Sequence, residues 1–134
     1  MEKSYRKLAR EKATIGIYQN LLVESDLKEI KLFLENDEKL SGNSKSMDFA
    51  VWLVETTLKN KDNYSELLSK YLKKGWPYDR LSPMERAILL IAACEVLESD
   101  LPNNIIINEA VMSAKKFCDD DTYKFINGVL SNIA

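Results

Sequence analysis

Histidine is absent from the 134-residue chain. That one absence removes histidine-dependent triads, imidazole general bases and histidine zinc motifs together. Glycine is scarce as well, and the four glycines form no phosphate-cradling loop. The two cysteines, Cys94 and Cys118, sit within apolar helical patterns without metal-site spacing, so they read as reduced core thiols. No apolar run reaches the length of a membrane span. The early stretch IGIYQNLLV is interrupted by Tyr-Gln-Asn and lacks a small-residue cleavage pattern, so the expected compartment is the cytoplasm. Positive charge is not in excess: 19 Lys and Arg stand against 21 Asp and Glu, for a net charge of -2. The molecule as a whole is therefore not a basic nucleic-acid binder, and any such site must be a local patch.

What the chain does hold is helical periodicity. With 46% hydrophobic and 30% charged residues it reads as one globular domain over 1–134 with a real core. About seven helices follow from spacing and punctuation, and strand signals are few. Residues 3–22 carry the first helix. Ser25 is placed to cap a second, through Leu27, Ile30 and Leu34, and SGNSKS at 41–46 has the composition of a loop. Met47 to Leu58 and Tyr64 to Leu72 give two more, before GWPYDR breaks the pattern at 75–80. Ser82, Pro83 and Glu85 then spell a helix start, with a capping serine, proline at the first position and a glutamate able to bond back. Ile88 to Leu97 is apolar nearly all round, interrupted mainly by Glu95, and is the expected buried centre. Ile107 to Phe117 forms the next stripe.

The last helix contains an oddity. Asn127-Gly128 between apolar runs is a hairpin signal, yet Tyr123, Ile126, Leu130 and Ile133 keep a helical period. Glycine inside a helix costs about 1 kcal/mol relative to alanine, so Gly128 predicts a close backbone approach to another helix or to a ligand. The acidic run Asp119-Asp120-Asp121 is expected to cap this helix and complement its dipole rather than hold a cation, since an EF-hand distributes its ligands over a longer loop. Catalytic residues, metal ligands and cofactor sites are not expected.

The first helix is more informative. Lys3, Arg6, Lys7 and Arg10 recur at a spacing that predicts one basic face, and Tyr18 returns to nearly the azimuth of Lys7 about 16 Å further along. Cations beside an aromatic ring suit single-stranded RNA, whose phosphates attract Lys and Arg and whose unstacked bases lie on rings.

Four stretches, in this order and spacing, carry a resemblance: REKATIGIYQ, RLSPMERAILLIAACEVL, LP followed by INEAVMSAKKF, and KFINGVL. Together they resemble the transcription antitermination factor NusB family over nearly the whole chain. The resemblance implies an all-helical fold of two packed subdomains, here about 1–75 and about 76–134. It also implies a non-enzymatic adaptor that pairs with NusE, a small-subunit ribosomal protein, on boxA single-stranded RNA of ribosomal transcripts. NusA, NusG and RNA polymerase are the further partners it implies, in rRNA transcription and ribosome maturation. Carried over residue by residue, Arg6, Lys7 and Arg10 match the basic N-terminal motif, and Lys124 and Phe125 the last-helix signature, with Asp121 just before it. Tyr18 and Glu85 match positions on the NusE side or at the junction of protein and RNA. Lys3 joins the RNA-binding set on its chemistry alone.

Three positions depart from the family pattern. Leu8 stands where the arginine run often continues, Leu90 replaces an arginine and Cys94 an aromatic residue. The first weakens the basic patch by one charge; the others fit a repacked core. The same fold also forms the N-terminal domain of some rRNA cytosine methyltransferases, but these residues hold no Rossmann-like domain or its glycine-rich loop. A helical protein-interaction module without RNA binding is the other alternative. A monomer and a homodimer both fit the sequence.

Overall fold

A computed structural model describes residues 2–72 and 77–134, with side chains from Tyr5 onward. Gly75, Trp76 and the side chain of Lys3 lie outside the described residues. Among the described residues there are eight α-helices, a 3-10 turn over Tyr78–Arg80 and no strand. The helices are α1 (Glu2–Val23), α2 (Leu27–Glu35), α3 (Glu38–Ser41), α4 (Ser44–Lys59), α5 (Lys61–Ser69), α6 (Pro83–Glu98), α7 (Asn103–Phe117) and α8 (Thr122–Ile133). The all-helical expectation is met, with one element more than about seven. The addition is α3, four residues too short to show a period but held by the Asp37 side chain, which accepts from the amides of Lys39 and Leu40.

Local chemistry sets most helix ends. Ser82 and Glu85 form the expected reciprocal capping box, each bonding the other's backbone amide. A second box starts α2, where Asp26 and not Ser25 is the cap. The predicted loop at 41–46 is shorter than expected, because the Asn43 side chain accepts from the Ser46 amide and starts α4 at Ser44. Such caps contribute about 1 kcal/mol each. Asp121 takes the cap position of α8 but makes no side-chain cap bond. The expected aspartate cap is thus not made.

α6 is the centre, as its all-round apolar composition predicts. Every residue from Ala87 to Glu95 is buried. α1, α4, α5, α7 and α8 pack around it. Burying a Leu or Ile side chain is worth about 1.5–3 kcal/mol, and Leu89, Leu90 and Ile91 are among those at the centre. Leu90 and Cys94 are wholly buried, so both departures are core residues here. Burial pushes the Cys94 thiol up to about 11, which leaves it an inert core sulfur.

Glu95 interrupts this apolar helix for a reason carried by another one. Ala9, Ala13 and Ile17 lay the apolar face of α1 onto the core, and Arg10 points in beside them with 6% of its surface exposed. Its Nε and Nη2 donate to the two carboxylate oxygens of Glu95 at 2.5 and 2.8 Å. Nη1 donates to Glu109 of α7 at 3.4 Å. A bidentate fork of this kind fixes geometry as well as charge.

The close helix approach falls at Gly16 and not at Gly128. A Cβ on Gly16 would stand 2.7 Å from Cγ2 of Ile30, so it is Gly16 that lets α1 and α2 approach. A Cβ on Gly128 would meet nothing within 4 Å among the described residues. The helix-contact reading of Gly128 is therefore corrected: it lies on an exposed, open stretch of α8.

Two stability tests follow from this packing. Glu95→Ala should lower stability by about 3–5 kcal/mol in a urea melt, because it leaves Arg10 buried and unpaired. Arg10→Met combined with Glu95→Leu should recover most of that loss. Gly16→Ala should destabilise by about 1–3 kcal/mol, since Ile30 is buried and its β-branched side chain is stiff at χ1, whereas Gly128→Ala should stabilise by about 1 kcal/mol. Equal thermal midpoints for the two alanine variants would contradict this assignment.

Candidate nucleic-acid and partner interface

The predicted basic stripe on α1 does not hold together as one exposed face. Arg10 is committed to Glu95 and Glu109 inside the fold. Within this structure it ties α1 to α6 and α7 rather than facing solvent. Leu8 packs partly against the core, which is what stands where another cation would. Lys7 is exposed and lines a cleft of ≈ 320 Å³ with Glu11, Met112, Ser113 and Lys116. Arg6 lines a different cleft, toward α4. Spacing alone placed these cations together, but partners on α6 and α7 at the azimuth of Arg10 were invisible to it.

Tertiary packing supplies cations the sequence reading missed. Lys115 and Lys116 occupy the last turn of α7, where positive charge complements the helix dipole. Lys116 pairs with Glu11 of α1 across the cleft that Lys7 lines. The Lys115 ammonium sits 4.6 Å from the centroid of the Tyr123 ring, joining α7 to the start of α8. The adjacent lysines in KKF were the available signal, but nothing in the chain said that they meet Glu11 and Tyr123.

From Tyr123 the surface continues onto α8. Asp121, Lys124, Phe125 and Gly128 line a groove of ≈ 770 Å³ together with Glu85, Leu81, Tyr71 and Asn132. The structure thus brings together Asp121, Lys124, Phe125 and Glu85, four of the residues carried over from the sequence. Lys124 is largely exposed and stands 3.6 Å from Asp121, a weak surface pair that leaves the ammonium accessible. Phe125 is half-buried, with part of its ring available to the groove. Gly128 keeps the floor low, since any side chain there would fill it. Glu85 does two things: its carboxylate completes the cap of α6, and it borders the groove. Tyr18 is half-buried against the core and lines none of these three hollows.

Cations and rings therefore gather in two places, Lys7 and Lys116 at the cleft between α1 and α7 and Lys124 and Phe125 at the groove on α8, while the Lys115–Tyr123 contact joins α7 to α8. Such groups can hold phosphates by charge and bases by stacking. Among the described residues no cluster of histidine, cysteine and carboxylate groups could hold a metal ion, and no helix is long and apolar enough to cross a membrane.

Comparison with known proteins places this geometry. The NusB family model matches residues 7–134. The transcription antitermination protein NusB of Staphylococcus epidermidis is 40% identical over 130 residues, spanning 96% of this chain and 97% of its own. The solution structure of NusB from Aquifex aeolicus superposes with a TM-score of 0.80 at 30% identity, covering 96% of this chain and 86% of that one. A crystal structure of the antitermination factors NusB and NusE in complex with dsRNA also matches, with a TM-score of 0.83 at 30% identity over 97% of this chain and 96% of that one. On sequence and fold together, the chain belongs to the NusB family of transcription antitermination factors, regulators that are not enzymes.

Proposed function

We propose that the protein is an RNA-binding antitermination factor that pairs with NusE on boxA RNA of ribosomal transcripts. In that role it joins NusA, NusG and RNA polymerase in the cytoplasm, supporting processive rRNA synthesis and ribosome maturation. The observation that carries the reading is the grouping of lysines and rings at the cleft between α1 and α7 and at the open groove beside Phe125. A relative of the same fold that is solved with NusE and dsRNA supports it.

The roles divide by chemistry. Lys7, Lys116 and Lys124 contact phosphate, which is insensitive to base identity and weakens as salt rises. Phe125 stacks an unpaired base. Arg6 is retained as an RNA contact at the edge of the patch. Arg10 contributes indirectly, by fixing the end of α1 that presents Lys7. Glu85 and the low floor at Gly128 receive the NusE side, and Tyr18 belongs to that side through its place on α1. Because net charge is -2, the protein alone supplies only part of the positive surface that an RNA needs. NusE supplies the remainder, so RNA and NusE bind with positive coupling.

Lys7→Ala should weaken boxA and unrelated single-stranded RNA by similar factors and lower the log-affinity against log-salt slope by about 0.7. Phe125→Ala should cost about 1–3 kcal/mol in affinity while leaving that slope nearly unchanged. Wild-type affinity and slope in both variants would remove Lys7 and Phe125 from the RNA interface, and no salt-dependent RNA binding by the wild type with NusE present would leave a protein-interaction module as the better account.

A second measurement addresses the partner. Titration of a boxA-like RNA should give tighter binding with NusE than without it, and Gly128→Leu should abolish the gain by filling the groove while the urea midpoint is kept. Equal affinity with and without NusE in the wild type would defeat the coupling.

A further inference from the structure

Arg6 lies in a cleft of ≈ 390 Å³ whose composition the phosphate contacts do not explain. Its walls come from α4 and from the connection between α6 and α7, and they combine three chemistries. The first is an aromatic shelf: Phe49 and Trp52 stack with centroids 5.8 Å apart and planes at 18°, and Tyr5 meets Phe49 edge-on. The second is a donor. The Arg6 guanidinium lies over Phe49 at 5.3 Å and over Tyr5 at 5.8 Å and donates from Nε to the Tyr5 hydroxyl at 3.3 Å, and with five N–H donors a guanidinium serves more than one acceptor at once. The third is a pair of acceptors, Glu98 at the end of α6 and Asp100 just beyond it, both exposed and neither hydrogen-bonded or ion-paired to another described residue.

A phosphate does not fit this cleft, because two carboxylates repel it against one arginine. A basic protein side chain matches the carboxylates but is opposed by Arg6. A ligand that satisfies all three walls needs a flat π-face, two adjacent N–H donors for a carboxylate and an acceptor for the arginine. Guanine has that edge, with N1–H and the 2-amino group beside O6. Adenine presents an acceptor at N1, uracil flanks its one donor with two carbonyls, and cytosine has an acceptor at N3, so each places a lone pair against a carboxylate. The edge must be unpaired to be read.

We propose that the cleft formed by Arg6, Phe49, Trp52, Glu98 and Asp100 is a base-selective seat for one unpaired guanine of the bound RNA. Trp52 carries the ring, Asp100 with Glu98 accepts its N–H groups and Arg6 donates to O6. The seat adds sequence preference to a surface otherwise held mainly by phosphate contacts. It rests on the RNA-binding reading above.

The test compares labelled decauridine with decamers carrying one central guanosine, inosine or adenosine, by fluorescence polarisation at fixed salt. The guanosine decamer should bind about tenfold tighter than decauridine, as for one well-read base. Inosine, which lacks the 2-amino group, should lose most of that gain, and adenosine should show none. Trp52→Leu and Asp100→Asn should each bring the guanosine-to-uridine affinity ratio within twofold, whereas Lys7→Ala should weaken both decamers and keep the ratio. Asp100 is exposed at a helix connection, so its variant keeps the test decisive should Trp52→Leu unfold, which circular dichroism would report. Equal binding of the guanosine and adenosine decamers by the wild type would overturn the guanine seat alone. Failure of every decamer to bind, both without NusE and with it, would overturn the RNA-binding reading and the seat together. Perturbation of the Trp52 indole resonance by acetylated triarginine and not by the guanosine decamer would also overturn the seat, in favour of a protein side chain.

Discussion

The arrangement of the surfaces depends on one buried ion pair, the fork of Arg10 onto Glu95. α6 is apolar nearly all round, and a carboxylate in its middle is tolerable only if a partner meets it inside the core. The partner comes from α1, and Glu109 of α7 shares it. Non-directional apolar packing between α1 and α6 would leave the helix free to rotate or slide by small amounts at little cost. The bidentate contact admits one rotation and one register. With these fixed, Lys7 falls on the cleft against α7 and Arg6 on the cleft against α4. A pair in the core thereby decides which cations the surface shows.

A protein with net negative charge can bind an anion only where its cations converge, and convergence here comes from assembly. No helix carries enough positive charge by itself. α1 gives Lys7 and the end of α7 gives Lys116 to one cleft, Lys115 lies against Tyr123, and α8 gives Lys124 to a separate groove, so the cations come together only when the helices pack. Carboxylates are interleaved, with Glu11 on Lys116 and Asp121 near Lys124. These surface pairs are individually weak and restrain the lysines more than they neutralise them. An anion can compete for such ammonium groups at modest cost.

The two helical glycines show how one residue type serves opposite ends. Gly16 removes a side chain so that α2 can come close, and its cost in helix propensity is offset by packing. Gly128 removes a side chain where none of the described residues comes within 4 Å, so no contact among them offsets its cost in helix propensity.

The sequence by itself determined the local and the periodic. The all-helical class, the capping box at Ser82 and Glu85, the central place of α6 and the last helix running through Asn127-Gly128 were all legible, because capping and burial patterns act within a few residues or along one helix face. The motif spacing likewise identified the family. Azimuth against neighbours was not legible. Arg6, Lys7 and Arg10 look equivalent at helical spacing, and only the placement of Glu95 and Glu109, 85 and 99 residues away, makes one of them a core residue. The same holds for the Lys115 contact with Tyr123. Tertiary structure decided these because side-chain roles on a helix depend on what lies opposite, and a one-dimensional pattern carries no record of that.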